Sequence, residues 1–144
     1  MAFKGHFEYS LDAKNRLTVP ARFRADFGAG LVLAKGIEHC VALWKPADYE
    51  GFRTAALEGM HPLSQEARKL KLDFAANSMP AELDAAGRVM VPGFLMDHAA
   101  LTKEVTVIGA GDHLEVWDRS AWADFNQQLH DDVLSITSSL GHPA

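Results

Sequence analysis

Cysteine is almost missing from this sequence. Cys40 is the only one and lies in an apolar run, so no intrachain disulfide exists and the thiol reads as packing. Long apolar runs are missing too; none approaches the ~20 residues of a membrane-spanning helix. The opening Met1-Ala2-Phe3-Lys4-Gly5-His6 has neither the apolar core nor the cleavage site of a signal peptide. These absences lead us to expect a cytoplasmic protein with no membrane partner. Positive charge is short as well: 14 Lys and Arg against 19 Asp and Glu, a net −5, which taken whole disfavours nucleic acid. Ser10, Ser64 and Cys40 lie in no nucleophile motif, and no glycine-rich phosphate loop precedes a helix. We therefore expect no enzyme, no cofactor and no metal.

What the chain has instead is a repeat. Leu11-Asp12-Ala13-Lys14-Asn15-Arg16-Leu17-Thr18-Val19-Pro20 returns 72 positions later as Leu83-Asp84-Ala85-Ala86-Gly87-Arg88-Val89-Met90-Val91-Pro92. Six of the ten paired positions are identical, and Asn15 faces Gly87, the residue types best able to take a left-handed backbone. One supersecondary unit has been built twice. The likeness continues through Trp44/Trp117, Tyr49/Trp122 and Phe52/Phe125, now 73 apart.

Taken in order, Phe7, Tyr9 and Leu11 alternate with polar neighbours as a half-buried strand does. Asp12 to Asn15 interrupts, and Leu17 and Val19 resume, which predicts a hairpin. Ala21 to Phe27 reads as a helical turn, and 31–34 and 40–44 as short strands. Pro46 opens a helix that Gly59 ends. A second helix carries Leu63, Ala67, Leu70 and Phe74 on one face. The second unit repeats the plan: Met79, Ala81 and Leu83, the turn, Val89 and Val91, a short helix over 93–100, and strands over 105–108 and 114–117. Asp118 or Ser120 can cap a last helix carrying Trp122, Phe125, Leu129 and Val133. The expected organisation is a first unit over 6–52, a helical connection over 53–78, a second unit over 79–124, and a helix end with a frayed tail over 125–144. The fold class is α+β, mainly β with helices.

The repeated turn has a purely structural account. An Asp heading a tight turn accepts backbone N–H bonds two or three residues on, Asn15 and Gly87 supply the backbone angle, and Arg16 and Arg88 pair with Asp12 and Asp84. The copies differ, however. Lys14 stands opposite Ala86, and Arg22 and Arg24 stand opposite Phe94 and Met96. Residues 1–36 carry +3 while the rest carry −8. Lys4, Lys14, Arg16, Arg22 and Arg24 would put phosphate-seeking groups around one exposed ribbon, a shape that fits the DNA major groove. Two Asp-bearing loops also invite comparison with an aspartic protease dyad. Ala-Lys and Ala-Ala follow these aspartates where that family needs Thr or Ser and then Gly. Glu38-His39 and Asp112-His113 sit at matching places, but adjacent strand residues point to opposite faces, so structural histidines are the better reading.

At Gly5, at Asp12-Ala13-Lys14-Asn15-Arg16-Leu17-Thr18-Val19-Pro20-Ala21-Arg22-Phe23-Arg24 and at Asp84-Ala85-Ala86-Gly87-Arg88, the sequence resembles the MraZ family of bacterial transcriptional regulators. The resemblance covers nearly the whole chain. It implies two tandem AbrB-like (SpoVT-AbrB) swapped-hairpin β-barrel units in one pseudo-symmetric chain. It also implies a cytoplasmic, nucleoid-associated regulator of a division and cell-wall gene cluster, assembled into a ring and bound to short repeats in double-stranded promoter DNA. Carried over by position, the DNA-binding motif falls on Asp12, Lys14, Asn15 and Arg16, with Lys4, Arg22 and Arg24 in support. The family pattern has Gly where this chain has Asn15, and more often Arg where it has Lys4. A reading of another class, an antitoxin-like or scaffold module, would need exposed members among Trp44, Tyr49, Phe52, Trp117, Trp122 and Phe125.

Overall fold

A computed structural model describes residues 2–141 of the 144. Strands β1 (His6–Ser10), β2 (Arg16–Thr18), β3 (Leu31–Lys35) and β4 (Val41–Trp44) lead to helices α1 (Pro46–Leu57) and α2 (Gln65–Ala76). Next come strands β5 (Ser78–Ala81) and β6 (Arg88–Met90), helix α3 (Gly93–Ala99), strands β7 (Glu104–Gly109) and β8 (Leu114–Asp118) and helix α4 (Arg119–Leu140). The helical turn expected at 21–27 is two consecutive 3-10 turns, Ala21–Phe23 and Ala25–Phe27, which bury Phe23 and Phe27.

The predicted hairpin is not one. The chain does reverse at Asp12–Asn15, but β1 then pairs with β7 and β2 with β6, all antiparallel. In the second unit β5 likewise pairs with β3, from the first. One open six-stranded sheet results, in the order β1-β7-β8-β4-β3-β5, with β2 and β6 forming a separate two-stranded ribbon. No closed barrel forms among the described residues; β1 and β5 remain the sheet's edges. A period-2 pattern specifies which face of a strand is buried and is silent about its partner. Here the partner of each unit's first strand comes from the other unit, Phe7 lying opposite Val107 and Tyr9 opposite Val105.

The sheet's faces alternate strictly. Leu31, Leu33, Val41, Leu43, Val105, Val107, Leu114 and Val116 point inward, where Leu17, Val19, Val89 and Val91 of the ribbon and Leu95 of α3 complete the core. Side chains buried this fully contribute about 1.5–3 kcal/mol each. The opposite face carries Ala34, Ala42 and Trp44, covered by Tyr49 and Phe52 of α1. Trp117 is covered in the same way by Trp122 and Phe125 of α4. The ribbon is thus one outer layer, held to the sheet by its apolar side, with its other side in solvent.

The helix ends obey local chemistry. Ser64 Oγ accepts a bond from Ala67 N at 3.2 Å and caps α2, which leaves Leu63 outside the helix and 88 % exposed, not on its apolar face. Asp118, not Ser120, caps α4. The frayed tail expected from Ser135 is instead helix as far as Leu140. Ile136 and Leu140 prolong the helical spacing of Leu129 and Val133, and Thr137 Oγ donates to Val133 O at 2.8 Å. The last three residues of that tail, 142–144, lie outside the described ones.

Candidate nucleic-acid interface

The two turns are built alike, atom for atom. Asp12 Oδ1 accepts from the backbone N–H of Lys14 and of Arg16, both at 2.9 Å, and Oδ2 accepts from Arg16 Nε at 2.6 Å. Asp84 does the same for Ala86 N (2.9 Å), Arg88 N (2.8 Å) and Arg88 Nε (2.9 Å). The backbone N–H of Arg16, helped by its guanidinium and by Lys14 N–H, holds the Asp12 carboxyl down to about 2. Asp84 is lowered for the corresponding reasons, with Arg88 N–H first. Both carboxylates are held ionised by their own turns, whereas a proton-sharing dyad needs one of the pair raised.

Asn15 and Gly87 both take the left-handed conformation the sequence predicted, at φ 57° and 75°. They are not interchangeable. A Cβ on residue 87 would collide with Nε of Arg24, whose guanidinium lies across the second turn and donates to Val19 O at 3.0 Å. At the first turn Met96, the counterpart of Arg24, lines the same shallow cavity as Asn15, and an asparagine side chain fits. The departure from glycine at position 15 therefore has a local setting: no arginine lies across that turn as Arg24 lies across the second, and Met96 stands at the counterpart position.

The ribbon then joins what the sequence kept 72 residues apart. Arg16 lies opposite Met90, Leu17 opposite Val89 and Thr18 opposite Arg88. Leu17 and Val89 face the core, so Arg16 and Arg88 share the outer face with Thr18 and Met90. Crossed bonds lock the register: Val91 N donates to Asn15 O and Val19 N to Gly87 O, each at 2.9 Å. On both arginines only Nε is engaged; Nη1 and Nη2 have no partner among the described residues. Bracing by Asp and presentation of a free guanidinium fork are thus properties of the same contact.

The basic residues singled out in the sequence divide among four places. Lys14 is exposed on the first turn beside Arg16. Arg22 lies over the Phe7 ring, 5.3 Å from its centroid, on the flank of β1, while Arg24 belongs to the second turn. Lys4 precedes β1, and five strand residues spanning about 17 Å separate that end from the turn. Sequence reasoning missed two partners. It gave Arg88 only a turn-bracing role, although the 72-residue offset with antiparallel pairing places it beside Arg16. It also missed Lys103, whose carbonyl accepts from Leu11 N at 2.8 Å and which lines the cavity beside Asp12 and Asn15. No signal in the sequence points to that contact.

The competing sites do not assemble. Among the described residues no three His, Cys, Asp or Glu are grouped to hold a metal. His113 is stacked on Trp44 at 4.3 Å and bonded to Asp112 and Glu115, while His39 contacts the carbonyl of His98. Cys40 is buried, and desolvation pushes its thiol up. Trp44, Tyr49 and Trp117 are buried, and Phe52, Trp122 and Phe125 pack on the two tryptophans with tilted or edge-on rings. No described helix is long and apolar enough to cross a membrane.

A family model described as "MraZ protein, putative antitoxin-like" matches residues 2–72 and again 74–138, one match to each copy of the repeat. This chain belongs to the MraZ family. A protein of Dictyoglomus thermophilum named "Transcriptional regulator MraZ" is 35% identical over 126 residues, 88% of this chain and 86% of its own length. Proteins of the same name from Desulfitobacterium hafniense and Mycoplasmoides gallisepticum are 33% and 32% identical over 138 residues, 96% of both chains in each case. MraZ membership accounts for the duplicated turn and for the mixed α+β chain with its mainly antiparallel sheet.

Proposed function

We propose that this chain is a sequence-specific DNA-binding transcriptional regulator that reads short repeats in the promoter of a division and cell-wall gene cluster. The observation that carries this reading is the outer face of the β2–β6 ribbon, where Arg16 and Arg88 are each fixed through Nε and keep both Nη groups free. A two-stranded ribbon is narrow enough for the major groove, and an arginine fork matches guanine O6 and N7 or a phosphate. Lys14, Asn15 and Lys103 extend the contact at the first turn, Arg24 at the second, and Arg22 on the flank. Lys4 reaches only DNA that passes the far end of β1.

The net charge of −5 is reconciled by position and number. The ribbon carries the positive charge locally, and a homo-oligomeric ring displays it several times, so linked weak contacts gain about 10²–10⁴ in avidity without new chemistry. We read the crossed pairing of β1 with β7 and β5 with β3 as the AbrB-like swapped-hairpin plan, and the site of action as the nucleoid. The test is fluorescence anisotropy with DNA from upstream of the gene. Arg16→Ala should weaken binding by roughly 10- to 100-fold, the value of one bidentate base contact, with oligomer size unchanged. Normal binding by Arg16→Ala at moderate salt would refute the assignment.

A further inference from the structure

The outer face of the β2–β6 ribbon holds one residue that the arginine forks do not explain. Met90 stands directly opposite Arg16 and two positions along β6 from Arg88. It is 61 % exposed and is not among the side chains packed against the core. Elsewhere on a surface a single exposed methionine needs no account. Here it stands between two guanidinium groups whose Nη atoms have no partner among the described residues.

Register brings Met90 and Arg16 as close as two strand residues come. Val91 N donates to Asn15 O and Val19 N to Gly87 O, which makes 15 with 91 and 19 with 87 hydrogen-bonded pairs. Pairs alternate along an antiparallel ladder, so Arg16 with Met90 and Thr18 with Arg88 are non-hydrogen-bonded pairs. In such pairs the Cα atoms lie about 4.5 Å apart and the side chains approach most nearly. The 72-residue offset exchanges the two pairs, Arg16 corresponding to Arg88 and Thr18 to Met90. Each pair thus sets a methyl-ended side chain beside a fork. Thr18 is half-buried, whereas the longer Met90 is exposed.

A fork that seats on guanine carries its neighbour into the groove. The major groove shows hydrogen-bond donors and acceptors and a single kind of apolar group, the C5 methyl of thymine. A thioether pressed on polar base edges desolvates them without return. Against that methyl it removes apolar surface on both sides. Methionine is unbranched, with three free torsions, so its end adapts to the groove floor. Base pairs stack about 3.4 Å apart, which puts side chains this close on neighbouring pairs. We propose that Met90 is a specificity-determining residue of the DNA interface, reading the methyl of a thymine adjacent to the guanine taken by Arg16. This rests on the DNA-binding reading and adds to it a contact that no charged side chain makes.

Deoxyuridine differs from thymidine by that methyl alone and pairs identically, which makes the test selective. The promoter duplex is prepared with thymine and with uracil throughout, and each is titrated by fluorescence anisotropy with the wild type, Met90→Ala and Met90→Leu. Met90 is exposed, so both variants should keep the circular dichroism and melting of the wild type. The wild type should bind the uracil duplex about 4-fold more weakly for each repeat engaged, the worth of one buried methyl group. Met90→Ala should bind both duplexes alike, at the wild-type affinity for uracil DNA, with an unchanged salt slope because no phosphate contact is lost. Met90→Leu should keep the preference for thymine. Replacing thymines singly should place the loss beside a guanine. Equal binding of both duplexes by the wild type would overturn the inference and leave DNA binding standing. So would a thymine preference retained in full by Met90→Ala, which would pass the methyl to another residue. Binding of neither duplex by the wild type would overturn the DNA-binding reading and this inference together.

Discussion

The two copies of the turn share every hydrogen bond of their scaffold and differ in what surrounds it. The first has Lys14 on its tip, with Lys103 and Met96 lining the cavity beside it. The second has Ala86 on its tip, Glu82 beside it and Arg24 across it. Duplication therefore kept the part that fixes an arginine by its Nε and let the neighbours diverge. The first turn gathers cations that stand free of the turn. The second commits its extra cation to a backbone carbonyl, Val19 O, and depends on a residue without a Cβ. The scaffold explains why both turns exist; only the surroundings can make one of them bind more strongly.

The largest effect should come from breaking the second turn where the first is tolerant. Gly87→Asn makes the turns identical at that position, but the new side chain meets Arg24 at a positive φ. Arg24 then swings aside and gives up its bond to Val19 O, and we expect a loss of about 1–2 kcal/mol, a fall of ~4 °C in Tm for a chain of this size. Asn15→Gly should change Tm by a degree or two at most. If Gly87→Asn is as harmless as Asn15→Gly, Arg24 does not discriminate the turns.

Next in size are the arginines themselves. Arg16→Ala and Arg88→Ala each remove one fork from the same ribbon face, so both should weaken binding to promoter repeats. Arg16→Ala should cost more, because its loss strips the turn that also carries Lys14 and Lys103. Equal losses in an anisotropy titration would mean the ribbon alone makes the contact and the surroundings contribute nothing.

Much of this difference was legible in the sequence, and the remainder was not, for a physical reason. Local order writes itself locally: Asp12 bonds residues two and four positions on, Ser64 caps a helix three residues ahead, and Pro46 opens α1. Those features were readable because the interacting groups are neighbours in the chain. The crossing of strands between units was not, since Phe7 shows the same alternation whether it faces Leu17 or Val107. Nor was the placement of Arg24 and Lys103, each brought to its turn by pairing elsewhere. The polar run around Ser135 concealed a different kind of information. A helix is sustained there by Ile136 and Leu140 at helical spacing, which composition alone hides.

A smaller change sharpens the comparison from the other side. Ala86→Lys gives the second turn the charge the first already has, and Lys14→Ala removes it from the first. One phosphate contact is worth about 0.9 in the slope of log K against log salt on duplex DNA. Lys14→Ala should lower that slope by about this amount per DNA-bound copy, with sequence preference retained. Ala86→Lys should raise it. A slope indifferent to both would place the tips outside the phosphate backbone.

The smallest effect is expected at low pH, where the two scaffolds themselves are tested. In the folded chain Asp12 titrates at about 2 against its ordinary 3.8. The folded state thus keeps this carboxylate ionised at pH values where the unfolded chain has taken up a proton. Stability from the turn is complete above about pH 5 and is lost as pH falls through 4 toward 2. Asp84 is lowered in the same direction, but its arginine sits at 2.9 Å where that of Asp12 sits at 2.6 Å. Both sites are open to water, so the loss is gradual. Urea midpoints measured at pH 6 and pH 3 should converge more for Asp12→Asn than for Asp84→Asn, each against the wild type. Equal convergence would make the two scaffolds energetically the same and confine the divergence of the turns to their neighbours.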